Sequence, residues 1–281
     1  MPTQADDKGI LRTEHEYLGA IFDDESSTPF SYPGTAQLSH AGEGAFLVDL
    51  SGLAYALVTG AEAEQLCNSA FTAEPLKVGE CGFEPALTGD GGLASISFVS
   101  RTGDNEYVLL DASARGELML TWLGFLAKIE QDGYAPYANT TVEDAADTLV
   151  PLLLAGAQAR TVLSDYVSSP SELPVAGCVA SLRLDSIPAV VASMPGCPQG
   201  LDAYVVFVPE GSARILWRSF LSFQQVSPAG SQMLLALLES WFEWMPRIAD
   251  SDLIRINADE LRQWGLLRGG QDFVGARALL A

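Results

Sequence analysis

Histidine is almost missing from this chain. His15 and His40 are the two in 281 residues, and both precede residue 45. That shortage excludes histidine-rich metal sites, and no metal ligand is assigned. It also argues against Ser-His-Asp chemistry, since no nucleophile elbow occurs either. Cysteine is scarce as well. Cys67, Cys81, Cys178 and Cys197 include no C-x-x-C pair, so neither a zinc site nor a disulfide scaffold is expected. Reduced thiols, and with them a cytoplasmic location, are the default. Positive charge is short: 15 Lys and Arg, three of them Lys, face 36 Asp and Glu, for a net charge of −21. A field of that sign repels phosphate backbones, and no basic patch offsets it, so nucleic acid is not expected as a partner. No apolar run reaches membrane-spanning length. The polar, acidic start of the chain lacks the basic and then apolar pattern of a signal peptide, so no membrane role is expected.

What is present is enough apolar residue to build cores. The hydrophobic fraction is 48% and the charged fraction 18%, which is a globular composition, and the length suits two modest domains. A repeat supports that division. Val58-Thr-Gly-Ala-Glu-Ala63 and Leu154-Ala-Gly-Ala-Gln-Ala159 both read as an apolar strand, a glycine (Gly60, Gly156), Ala-x-Ala and a helix start. Two copies cannot stack as a solenoid. They fit two related α+β lobes with a cleft between them.

Residues 1–44 read as an irregular leader. Strands are predicted at Ala45–Leu50, Ala54–Thr59, Val175–Leu184, Pro188–Ala192 and Asp202–Val208, and a hairpin at Leu93–Ser100 with Tyr107–Asp111. A helix capped at Ser113 and ended by Gly133 should turn Leu118, Trp122, Phe125, Leu126 and Ile129 inward. Thr140-Thr-Val-Glu143 has the capping-box pattern of a short helix. Ala61–Ala70 and Glu210–Phe223 are further helices, the latter with Ile215, Leu216, Phe220 and Leu221 inward. An apolar helix should run from Pro228 to about Met245, and Asn257 should cap another. Trp241, Phe242 and Trp244 read as core or lobe-interface packing. The mixture argues α+β and not a Rossmann sheet. The Gly89-x-Gly91-Gly92 turn leads into a strand, whereas a phosphate cradle opens a helix.

A series of short patterns resembles the aminomethyltransferase (T-protein) of the glycine cleavage system and its folate-dependent demethylase relatives. In order, these are Phe46-Leu-Val-Asp-Leu-Ser51, Val58-Thr-Gly-Ala-Glu-Ala63, Leu76-Lys-Val-Gly79, Asp90-Gly-Gly92, Glu106–Ala112, Leu152–Ala159, Gly200-Leu-Asp-Ala-Tyr204 and Phe273–Leu279. Each is weak, but eight fall in the family's order. The resemblance implies an α+β fold of two pseudo-symmetric ferredoxin-like lobes, roughly 45–150 and 151–281, around a folate cleft. It also implies that the family's C-terminal β-barrel is lacking, because the sequence stops just after Phe273–Leu279.

The activity implied is tetrahydrofolate-dependent transfer of an aminomethyl or methyl unit. The family's paired aspartates, one of which assists at the reacting nitrogen, fall on Ser95 and Ile96. A serine cannot supply the charge, so no catalytic residue is assigned and an altered substrate is expected. Asp202 stands where a glutamate clamps the pterin ring, Asp111 where an asparagine lies, and Phe83 where a tyrosine lies. Phe83, Ser95, Asp111 and Asp202 are therefore the candidate cofactor-binding residues. No arginine follows Pro228-Ala-Gly230 to meet the folate tail, and Arg115 and Arg160 read as solvated surface. The alternative is a non-catalytic folate or small-ligand binder, or a subunit of a larger complex with a protein partner.

Overall fold

The computed structural model describes residues 9–23, 26–34, 37–146, 148–248 and 254–280. Its elements in chain order begin with α1 (Arg12–Tyr17), β1 (Ala45–Asp49), β2 (Ala54–Gly60), α2 (Ala63–Ala70), β3 (Cys81–Leu87), β4 (Gly92–Gly103), β5 (Glu106–Asp111), α3 (Gly116–Ala127), β6 (Thr140–Asp144) and β7 (Leu149–Gly156). They continue with α4 (Ala159–Ser164), β8 (Val179–Leu184), β9 (Ile187–Ser193), β10 (Asp202–Pro209), α5 (Glu210–Phe220), β11 (Val226–Ala229), α6 (Ser231–Trp241), α7 (Met245–Ile248), β12 (Ile254–Arg255), α8 (Ala258–Gln263) and α9 (Ala276–Leu279). The fold class is mixed α+β with two sheets, as the sequence led us to expect. No helix is long and apolar enough to cross a membrane among the described residues.

The chain forms two compact units that exchange the chain at Gly52/Leu53, Ala145/Ala146 and Trp241/Phe242. The first holds a six-stranded sheet in the order β11-β1-β7-β10-β9-β8. β1 and β7 are continuous apolar runs, and both are buried along nearly their whole length, the pattern of strands covered on two faces. Leu47, Leu154, Val162, Val206, Leu216 and Trp217 meet in this core. The segment before β1 is tied in by a buried polar chain. His15 Nε2 lies 2.9 Å from Asp49 Oδ2, and Tyr32 Oη lies 2.8 Å from His15 Nδ1. Burial, and then the charge of Asp49, push the Tyr32 phenol well up, so it keeps its proton and donates to His15. The imidazole in turn donates to Asp49.

The second unit carries the order β12-β4-β5-β2-β6, with β3 on the other side of β4. Leu66, Val99, Leu109, Met119 and Leu123 fill its core. The two sequence copies fall one in each unit, as β2–α2 and β7–α4. Gly60 has φ +125° and Gly156 φ +140°. A Cβ on Gly60 would collide with the Asn139 carbonyl, and one on Gly156 with the Gly44 carbonyl. Each copy thus needs glycine for the same reason.

Four local expectations are corrected. Thr140–Asp144 is a strand on β2, not a helix: three β-branched residues favour the pleated position, and the partner strand outweighs a capping pattern. Val226–Ala229 pairs in parallel with β1 before α6 begins, and its proline is tolerated because β11 is an edge strand. α5 buries Ala213, Leu216, Trp217 and Phe220 and leaves Ile215 exposed. α3 ends at Ala127, not at Gly133, and buries Met119, Leu123 and Leu126, leaving Leu118 and Phe125 outside. Asn257 caps α8 as expected, in a full capping box with Glu260.

Candidate functional site

In the second unit, three candidate positions lie on β3, β4 and β5. Ser95 and Asp111 are buried and belong to one hydrogen-bond chain. Asp111 Oδ1 accepts from the Ser113 amide at 2.9 Å and from the Ser113 hydroxyl at 2.6 Å, and Oδ2 accepts from the Ser97 hydroxyl at 2.8 Å. Because Ser113 Oγ gives its proton to Asp111, Ser95 Oγ donates to it in turn across 3.1 Å. Ser113 Oγ also accepts from the Arg115 amide, the residue at the N-cap of α3. This is an Asx-type turn that joins a strand to a helix. Phe83 is half-buried, with its ring 4.6 Å from Phe242, 4.8 Å from Trp244 and 5.5 Å from Phe98.

Arg115 is buried, contrary to the surface reading. It donates to the carbonyls of Leu93 and Ala94 at 2.7 and 2.6 Å, which ties α3 to the start of β4. Sequence reasoning also missed Glu84, a buried carboxyl on β3. Burial pushes it up to about 8, with Arg268 pulling the other way. Glu84, Cys67, Tyr107 and Arg268 line a small pocket of ≈ 10 Å³, at the lower limit of what one water needs. Alternation of apolar and polar residues does not mark such a group, because its neighbours come from α2, β5 and the segment after α8.

In the first unit, Asp202 opens β10 opposite Gly156 and is half-buried. Its carboxylate makes no hydrogen bond or ion pair among the described residues. Its charge is felt locally. The Cys197 thiol is pushed up to about 11 by burial and then by Asp202, so it stays protonated at neutral pH and is a poor nucleophile. The Tyr204 phenol is raised by burial and then by Asp202, and accepts a hydrogen bond from Arg160 Nη1 at 2.7 Å. Arg160 also reaches the carbonyls of Pro170 and Pro174, so it is a bracing residue and not free surface. Grooves of about 820 Å³ beside Tyr166 and Arg183, and about 450 Å³ beside Tyr17 and Trp217, include none of the four candidates. Among the described residues, no cluster of three His, Cys, Asp or Glu side chains is placed to hold a metal ion.

Residues 17–242 match the GCVT N-terminal domain family. The chain belongs to that family. Its fold is that of the glycine cleavage system aminomethyltransferase T from Bartonella henselae, with a TM-score of 0.75 and 21% identity over 96% of this chain and 73% of that one. A heterotetrameric sarcosine oxidase from Corynebacterium sp. U-96, in complex with pyrrole 2-carboxylate, aligns with a TM-score of 0.42 and 14% identity, over 75% of this chain and 88% of that one. No curated protein matches the sequence.

The GCVT N-terminal domain family is one of folate-dependent one-carbon transfer. The four candidate positions differ in how far their own chain already engages them. Ser95 and Asp111 are sealed in the turn before α3, and Phe83 is packed among aromatic rings. Asp202, by contrast, presents a half-buried carboxylate with no hydrogen-bond partner among the described residues.

Proposed function

We propose that this member of the GCVT N-terminal domain family binds a reduced folate or a similar pterin-like ring through Asp202, without the family's one-carbon chemistry at Ser95. The observation that carries the reading is the contrast between the two acidic candidates. Asp202 has no partner of its own among the described residues, whereas Asp111 accepts from Ser97 and twice from Ser113. A carboxylate beside two ring N–H groups gives charge-assisted hydrogen bonds, which suits recognition. Proton removal from a developing cationic amine needs an acceptor beside it. Ser95 is uncharged, fully buried and already hydrogen-bonded.

The test is thermal unfolding with tetrahydrofolate and 5-formyl-tetrahydrofolate, in the wild type and in Asp202→Ala. A ligand that binds only the folded chain stabilises it by about 2.7 kcal/mol at ~100 Kd. We expect a raised Tm in the wild type, none in the variant, and no release of a one-carbon unit from an aminomethyl or methyl donor. A shift that survives in Asp202→Ala refutes the assignment of the contact. Family membership favours a second reading, one-carbon transfer to a different substrate. Turnover with any donor would establish it and would require an acceptor other than Ser95.

A further inference from the structure

α3 is apolar almost all round. Its twelve residues read Gly-Glu-Leu-Met-Leu-Thr-Trp-Leu-Gly-Phe-Leu-Ala, with one charge. A helix of that kind belongs between two packed surfaces. Among the described residues only one is supplied. Met119, Leu123 and Leu126 face the core, while Leu118 is 48% and Phe125 69% exposed and Trp122 is half-buried. Leu118 and Phe125 stand at i and i+7 and form an outward stripe, while Trp122 beside them packs against the core.

The charges at the ends of the helix indicate what covers it. Glu117 is exposed in the first turn, and Lys128, one of three lysines in the chain, is exposed at the C-cap. Neither has an ion-pair partner among the described residues. The midpoint of Glu117 and Lys128 lies between Trp122 and Leu123, and the midpoint of Leu118 and Phe125 lies one residue earlier. A second α3, laid antiparallel across a two-fold axis near Thr121, therefore meets its like. Phe125 falls on the other copy's Leu118, and Glu117 comes near its Lys128, each twice. Thr121, a small side chain, is exposed at the crossing point, which lets the two helices approach closely.

We propose that the outer face of α3 is an isologous dimer interface, occupied by a second copy of this chain. The pairing is self-complementary in hydropathy and charge, which is what a two-fold interface demands. One helix pair is small for a stable interface, so the dimer is weak and forms in the upper micromolar range.

Sedimentation equilibrium of the full chain, over a series reaching ~1 mM at moderate salt, tests this. The mass should climb toward twice that of the chain. Glu117→Lys and Lys128→Glu should each raise the dissociation constant about tenfold or more, from like charges brought together twice. The double variant Glu117→Lys/Lys128→Glu restores both pairs and should return the constant to within about threefold of wild type. Phe125→Glu should abolish dimerisation while leaving the monomer folded by circular dichroism, since the side chain is exposed. A chain that stays monomeric throughout overturns the proposal and leaves the stripe to a partner of different sequence. A dimer that ignores all four variants overturns it too, by placing the contact on another face.

Discussion

Glu84 shows how one buried carboxyl ties stability to pH. Its side chain is 3% exposed and carries a pKa raised from the ordinary 4.5 to about 8, chiefly by burial. The folded chain therefore holds a proton on Glu84 between pH 4.5 and 8 that the unfolded chain has released. Stability falls as pH rises through that window, by about 1.4 kcal/mol per unit at the steepest, and levels off above it. Arg268 cannot cancel the effect, because its guanidinium is spent on the carbonyls of Asn68, Phe71 and Ala73 and on Asp272. Urea unfolding of wild type and Glu84→Gln from pH 5 to 9 measures this. The wild type should lose a few kcal/mol across the range. The variant, which is neutral throughout, should lose less and be the more stable of the two at pH 8. Equal slopes would place the titration elsewhere.

At the scale of elements, the repeated strand-glycine-helix turn is the best-read feature of the sequence. Gly60→Ala and Gly156→Ala should each cost ~2–4 kcal/mol, through positive φ and the carbonyl each methyl would meet. Chemical denaturation of the two variants should give losses of similar size, and a neutral Gly156→Ala would deny the copies a shared constraint. The positive φ at each glycine belongs to the turn itself and so is legible in sequence, whereas the carbonyl each methyl would meet comes from a residue distant in the chain. Strands β1, β7 and β10 were legible for a similar reason, as unbroken apolar runs. What failed was set by distant partners. Thr140–Asp144 became a strand because β2 offered an edge, and the inward face of α3 was misread because both of its faces are apolar. The candidate site divides the same way. Asp202 was found by its place in an ordered series of fragments. That Ser95 and Asp111 would be drawn into one turn depended on Ser113 and Ser97 folding against them, which no spacing announces.

The molecule as a whole carries 21 more acidic than basic side chains, so most of its surface carboxylates have no counter-charge to meet. The ion pairs that do form are mostly at the surface, such as Arg12–Glu16 and Arg262–Asp259, and contribute little each. Glu14, buried and paired with Arg214 and Arg218, is an exception. Repulsion among the remaining carboxylates opposes the folded state, and it acts over the Debye length, ~30 Å in 10 mM salt and ~3 Å in 1 M. Folding should therefore strengthen with simple monovalent salt. At pH 7 we expect Tm to rise by several degrees between ~10 mM and ~0.5 M NaCl, since each 1 kcal/mol moves a domain of this size by about 2–4 °C. Chloride is the proper choice, because sulfate stabilises proteins generally by exclusion from their surface. The same series at pH 4.5, where many carboxylates are neutral, should be much flatter. Glu84→Gln provides the internal control. It removes one buried, largely protonated group and no surface charge, so it should alter the pH profile while leaving the salt slope unchanged. If the variant flattened the salt slope as well, the repulsion would have to be local to that carboxyl and not a property of the whole surface.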